Sequence, residues 1–207
     1  GGRAGLDKVS CITEQRTLTL TMMGQSIAGK MTRLAAYPQR SRTEIEVMGQ
    51  KMVQVYDAGT NLGFQSAGGR TMDFSTEELQ EAREEMARDT ILYLRGAADY
   101  AAQWIGEADL AGGKADVLLL TPPGSKASFK AYVDRKTHLV VKHEYRGRSF
   151  QGSPVKEERF LEDYRKVGAL LWPYKVTILQ DGQPFISSEA ISIGWEPIPP
   201  EKFRKDG

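Results

Sequence analysis

The sequence predicts a mainly β (α+β) chain: a large, curved antiparallel sheet with an amphipathic helical lid on its concave face. Three observations carry this. Apolar and polar residues alternate with period two along much of the 207-residue chain, the pattern of half-buried strands. Short links containing Gly separate those stretches at hairpin spacing. One long stretch, residues 76–94, departs from the alternation and carries a helical stripe instead. About ten strands joined mostly by short turns make an antiparallel meander, and a sheet of that size must curl or close to protect its edges.

Taken in order, residues 15–23 put Leu18, Leu20 and Met22 on one side and Thr17, Thr19 and Thr21 on the other, a half-buried strand. Gly24-Gln25 follows, and residues 27–37 read as the return strand. Gly at the first position of a two-residue loop supplies the positive φ of a type II′ turn. Gly49-Gln50 repeats the device between residues 43–48 and 51–56, where Ile45 and Val47 alternate with Glu44 and Glu46. Ser75 and Glu78 form an S-x-x-E capping box at the head of the helix, whose stripe is Leu79, Ala82, Met86 and Ile91 or Leu92. Shorter helices are expected near residues 5–9 and over 97–104, and Gly68-Gly69 and Gly112-Gly113 read as turns in loops. Further strands are expected at 115–121, 127–134, 139–146 and 155–164. Asp181-Gly182, the strongest hairpin signal, joins 175–180 to 185–195. The segment with Pro197, Pro199 and Pro200 reads as an extended tail closing with Phe203. With neither a repeat nor a linker in view, residues 1–207 read as a single domain.

Charge excludes one class of partner. The 28 basic and 27 acidic side chains leave a formal net charge of +1, whereas nucleic-acid binding calls for a basic stripe. Arg146 and Arg148 beside Lys142 are the nearest candidate, but Glu144, Glu157 and Glu158 share the segment, which therefore reads as a solvated loop. No secretory h-region and no run of ~18 apolar residues is present, so no membrane-spanning helix is expected. The sequence starts at Gly1, which suits a mature secreted product, a chain trimmed of its signal or a fragment of a longer protein. Cys11 is the lone cysteine and reads as a buried free thiol.

A search for reactive constellations returns no catalytic and no metal-ligating residues, and no cofactor. His138 and His143 are five apart and on a strand would face opposite ways. One Cys cannot make a Cys₂ zinc site, and helical His–Glu–His spacing, a nucleophile elbow and phosphate or dinucleotide loops are missing. Asp134 and Asp163 stand where turns or sheet edges would use them. The chain therefore reads as a non-enzyme. All seven methionines (Met22, Met23, Met31, Met48, Met52, Met72 and Met86) fall in the first 86 positions. Met fills irregular gaps in cores and also suits surfaces that accept variable apolar partners. The first reading makes these residues packing beneath a curved sheet. The second makes Leu20, Met22, Met31, Met48, Met52, Leu79, Met86 and Trp104 the lining of an acyl-chain pocket between sheet and helix.

The segments Tyr132-Val133-Asp134-Arg135-Lys136-Thr137-His138, Phe160-Leu161-Glu162-Asp163-Tyr164 before Gly168, and Leu171-Trp172-Pro173-Tyr174 carry a resemblance. Tyr37-Pro38 with Arg40 and Arg42, Tyr56-Asp57 before Gly59, Gly106-Glu107 before Gly112, and Phe203 extend it over nearly the whole chain. These stretches resemble the LolA/LolB-like lipoprotein-sorting superfamily of bacterial envelope proteins. The resemblance implies a half-open antiparallel barrel plugged by helices, a hydrophobic cavity between them, a periplasmic or cell-envelope location, and an acyl chain or lipid-modified protein as partner. It also implies an Arg that clamps the lid helix, for which Arg40 or Arg42 is the candidate. Similar stretches occur as the C-terminal domain appended to insulinase-type zinc peptidases, and this gives the alternative: a non-catalytic accessory domain for substrate or membrane docking, with the peptidase upstream.

Overall fold

The computed structural model describes residues 2–22, 24–149 and 152–205. The described residues form thirteen strands: β1 (Cys11–Met22), β2 (Gln25–Ala36), β3 (Arg40–Val47), β4 (Gln50–Asp57), β5 (Leu62–Ala67), β6 (Arg70–Asp73), β7 (Ala101–Leu110), β8 (Gly113–Thr121), β9 (Phe129–Asp134), β10 (Val140–Arg148), β11 (Pro154–Val167), β12 (Leu170–Gln180) and β13 (Gln183–Gly194). Three α-helices accompany them: α1 (Gly2–Leu6), α2 (Thr76–Ala87) and α3 (Thr90–Arg95). A 3-10 turn at Pro200–Phe203 ends the described chain's regular structure. The strands hydrogen-bond in the order β6-β5-β4-β3-β2-β1-β13-β12-β11-β10-β9-β8-β7, and the end strands β6 and β7 do not pair, so the sheet is not closed into a barrel. The expected antiparallel, mainly β class is what the chain adopts.

Several boundaries differ from expectation, each for a physical reason. The helix expected over residues 76–94 is two helices, because the Asp89 carboxylate accepts from the Ile91 and Leu92 amides and starts α3 afresh. The segment 97–104 is a turn leading into β7, where Trp104 and Ile105 suit a strand better than a helix. Gly68-Gly69 is the turn of a hairpin, β5–β6, that lay unrecognised between Asp57 and Ser75. The β3–β4 turn sits one residue earlier than expected. Val47 pairs with Gln50, and the two link residues are Met48 and Gly49, with φ 51° and 71°. Positive φ at both makes it type I′ rather than II′. In the β1–β2 link Met22 pairs with Gln25; the expected strand residue Met23 lies outside the described residues. Asp181-Gly182 is the hairpin turn expected.

The chain packs as two compact units. The first holds Gly1–Arg95, Lys166–Trp172 and Ser188–Gly207. On one sheet face Ile12 and Ala35 pack with Ile91 of α3, Val9, Leu170 and Trp172, with Trp195 edge-on to Trp172 at 5.5 Å. On the other face Val53, Val55 and Phe64 take Phe203 of the Pro-rich tail. Arg42 fixes that tail by donating to the Lys202 carbonyl at 3.0 Å. The second unit holds Gly96–Arg165 and Pro173–Ser187. Its core gathers Ala115, Val117 and Tyr132, and the Tyr164 hydroxyl donates to the Val140 carbonyl.

Candidate functional site

Pairing register decides which side chains of the first unit meet. Directly opposed residues share a face, so Glu14, Arg33, Thr43, Gln54 and Gln65 form one cross-strand row. Arg16, Met31, Ile45, Met52 and Ala67 form the next, followed by Leu18, Gly29 and Val47, and then Leu20 with Ile27. The helical segment attaches to the first of these rows. Gln65 donates to Glu78 of α2 at 3.0 Å, and Arg33 donates to Asp89 between α2 and α3. Phe74 covers Gly63 one row further, where any Cβ would fall inside the aromatic ring.

A buried ionic network lies at this attachment. Glu14 accepts from Arg16 at 2.7 Å, from Arg33 at 2.8 Å and from the Trp172 indole at 2.9 Å. Arg33 bridges to Asp89, which also accepts from the Tyr37 hydroxyl at 3.0 Å. Burial would raise the Glu14 carboxyl, but the Arg33 and Arg16 charges outweigh it and hold the group at about 2. Burial and the neighbouring Asp89 push the Tyr37 phenol well above its ordinary value. Burial also works against the Arg33 charge, and the Tyr37, Asp89 and Glu14 groups around it more than compensate. Each charge is fixed against an opposite one, so this cluster holds the helical segment to the sheet and offers no group poised for proton transfer. The guanidinium on the helical segment is Arg33. Arg40 pairs with Asp57, and Arg42 pairs with Glu44 and donates to the Lys202 carbonyl in the 3-10 turn.

The eight residues expected to line a pocket are placed as follows. Leu20, Met22, Met31 and Met52 come to one sheet face, the face bearing the helices. Leu20 is buried, Met31 and Met52 are half-buried, and Met22 is exposed. Leu79 and Met86 lie on α2, half-buried and buried respectively. Met48 stands in the β3–β4 turn, 79% exposed. Trp104 belongs to the second unit, 58% exposed on end strand β7, with its indole donating to Asp116. Sequence reasoning missed Glu14, Tyr37, Arg33 and Asp89. The available signal was Glu14-x-Arg16 on the inward side of an apolar strand opposite another inward Arg, a pattern that requires partners.

Polar clusters of the second unit are of a different kind. Glu144 accepts from Lys130 at 2.6 Å and from the Tyr132 hydroxyl at 3.2 Å, and Lys142 donates to Glu158 at 2.5 Å. Burial raises the Glu144 carboxyl, while Lys130, Lys156 and Tyr132 lower it to about 2; burial and Glu144 push the Tyr132 phenol up to about 12. His143 is buried edge-on to Phe129, and His138 is exposed in the turn after Asp134 with φ 58°. Among the described residues no group of three or more His, Cys, Asp or Glu could hold a metal, and no helix is long and apolar enough to cross a membrane.

Comparison with known proteins places the architecture. No protein-family model matches the chain, and no curated protein matches it in sequence. Solved structures do match. A DUF1329 family protein from Desulfovibrio piger is 11% identical, with a TM-score of 0.67 over 98% of this chain and 93% of its own. A putative outer membrane lipoprotein-sorting protein domain from Vibrio parahaemolyticus is 9% identical, with a TM-score of 0.64 over the same shares. A LolA superfamily protein from Nitrosomonas europaea is 12% identical, with a TM-score of 0.63 over 96% and 91%. The chain is thus similar in fold, over nearly its whole length, to lipoprotein-sorting proteins of the LolA superfamily.

Proposed function

We propose that this chain is a non-catalytic, carrier-like domain of the periplasm or cell envelope that binds an acyl chain, free or on a lipid-modified protein. The site is the helix-bearing face of the first unit. One observation carries the reading: Met22, Ile27, Met31, Ile45, Val47 and Met52 share that face in register, and all six remain exposed or half-buried. They lie beyond the rows to which α2 and α3 attach, with Leu79 and Met86 completing the lining from α2. The fold similarity to sorting proteins supports a carrier over a peptidase-appended docking domain. Burying an acyl chain yields ~0.8 kcal/mol per CH₂, enough for micromolar affinity after the ordering costs of binding.

Titration with an environment-sensitive acyl fluorophore, displaced by palmitate and by phospholipid, tests this. Met31→Glu and Met52→Glu are the informative variants, because half-buried positions accept a charge without breaking the core, unlike buried Met86. Each is expected to weaken binding more than tenfold at unchanged circular dichroism. Unchanged affinity in both folded variants would remove these rows from the site, and no saturable binding by the parent chain would end the carrier reading.

A further inference from the structure

We propose that the face of β9, β10 and β11 carrying Lys130, Lys142, Arg146 and Lys156 docks on an anionic phospholipid bilayer. In the sequence this segment is mixed in charge, but register sorts the charges by face. Lys142 stands opposite Tyr132 and Phe160, Glu144 opposite Lys130 and Glu158, and Arg146 opposite Lys156. Glu157 falls on the reverse side, where it accepts from the Tyr145 hydroxyl and pairs with Arg159. The reverse side is thus balanced, and the excess of positive charge lies on the front face.

On the front face Lys130, Lys142, Arg146 and Lys156 gather around Glu144 and Glu158, both already shared, while Glu162 further along β11 pairs with Lys175. Glu144 takes Lys130 at 2.6 Å, Glu158 takes Lys142 at 2.5 Å, and Lys156 lies 3.4 Å from each. Lys142 is buried and committed, its ammonium 4.7 Å from the Tyr132 ring centre and 5.2 Å from that of Phe160. Lys156 is half exposed, Lys130 projects 38% of its side chain, and Arg146 is exposed. Like charges directly opposed on neighbouring strands are destabilising; Lys156 is offset by Glu144 and Glu158, so the excess charge of the pair rests on exposed Arg146. The two side chains rise side by side from neighbouring strands of one face, where both can reach phosphodiesters. A net charge of +1 overall and a patch of this size fit a bilayer better than a nucleic acid, which needs a longer stripe. The inference stands independently of the acyl site, which lies on other strands.

Vesicle flotation of the intact chain tests it, comparing phosphatidylcholine alone with phosphatidylcholine containing phosphatidylglycerol. Partition onto the anionic vesicles only is expected, with loss at molar salt, where the screening length falls to about 3 Å. Arg146→Ser and Lys156→Ser should each reduce partition about fivefold, and roughly 25-fold together. Lys114→Ser, an exposed cation elsewhere in the same unit, should leave it unchanged, and the acyl-fluorophore affinity of the double variant should match the parent. Equal binding to neutral vesicles, a double variant that floats as the parent does, or an equal loss in Lys114→Ser would overturn the proposal. So would duplex DNA held more tightly than the vesicles with the same dependence on Arg146 and Lys156, since that would assign the face to nucleic acid.

Discussion

Met48 occupies the first link position of the β3–β4 turn at φ 51°, with most of its side chain in solvent. A long side chain in the left-handed region costs about 1 kcal/mol or more, and type I′ turns favour Asn-Gly for that reason. Met48→Asn, which keeps Gly49, should therefore stabilise the chain by about 0.5–1 kcal/mol, read as a rise in the urea midpoint. The same variant should leave acyl binding within twofold, because Met48 stands at the turn, outside the Met31–Met52 row; a large loss would return it to the site. Gly29 makes the opposite case. A Cβ there would overlap the Glu46 carbonyl and the Val47 side chain, so Gly29→Ala should destabilise by about 1–3 kcal/mol through overpacking. The hairpin was legible from Gly49 alone, while its turn type was not, because Met at a positive φ has no sequence signature.

The break between α2 and α3 belongs to a larger scale. Ser75 and Glu78 cap α2 as their spacing predicts, each bonding the other's backbone amide, and this was legible because both partners lie within four residues. Asp89 was not, since its second partner, Arg33, lies 56 residues away across the sheet. Two roles in one carboxylate imply unequal sensitivities. Ser75→Ala removes an exposed cap and should cost about 1 kcal/mol. Asp89→Ala removes a cap and also strips Arg33 and Tyr37 of a buried partner, so about 3–5 kcal/mol is expected. Chemical denaturation of the two variants side by side checks the ratio, and equal costs would show that the Arg33–Asp89 bridge contributes nothing beyond capping. The β7 region shows the reverse: the helix expected over residues 97–104 gives way to a turn and the start of β7, where strand pairing with β8 overrides local propensity.

At the scale of the whole molecule, alternation revealed the sheet where a strand buries one face, as Leu18 and Leu20 of β1 do against exposed Thr17 and Thr19. It could not reveal which rows meet, since that is fixed by long-range register. The charged clusters depend on such register, and they set the acid limit of the fold. Each compact unit holds a carboxylate depressed to about 2, Glu14 in the first and Glu144 in the second, with Glu158 lowered beside Lys142. Because these folded values lie below the ordinary one near 4.5, the unfolded chain binds protons first as pH falls. Their contribution is complete above about pH 5 and disappears through about pH 2. Glu14 alone should supply on the order of 3 kcal/mol over that window. Urea unfolding followed by the fluorescence of Trp172, whose indole donates to Glu14, should show a plateau near neutrality and a steep loss below pH 4.5. Glu14→Gln should lower the plateau, since it leaves Arg16 and Arg33 short of a countercharge, and should also flatten the acid limb. A limb of unchanged slope in that variant would place the acid sensitivity in the second unit, under Lys130 and Lys142.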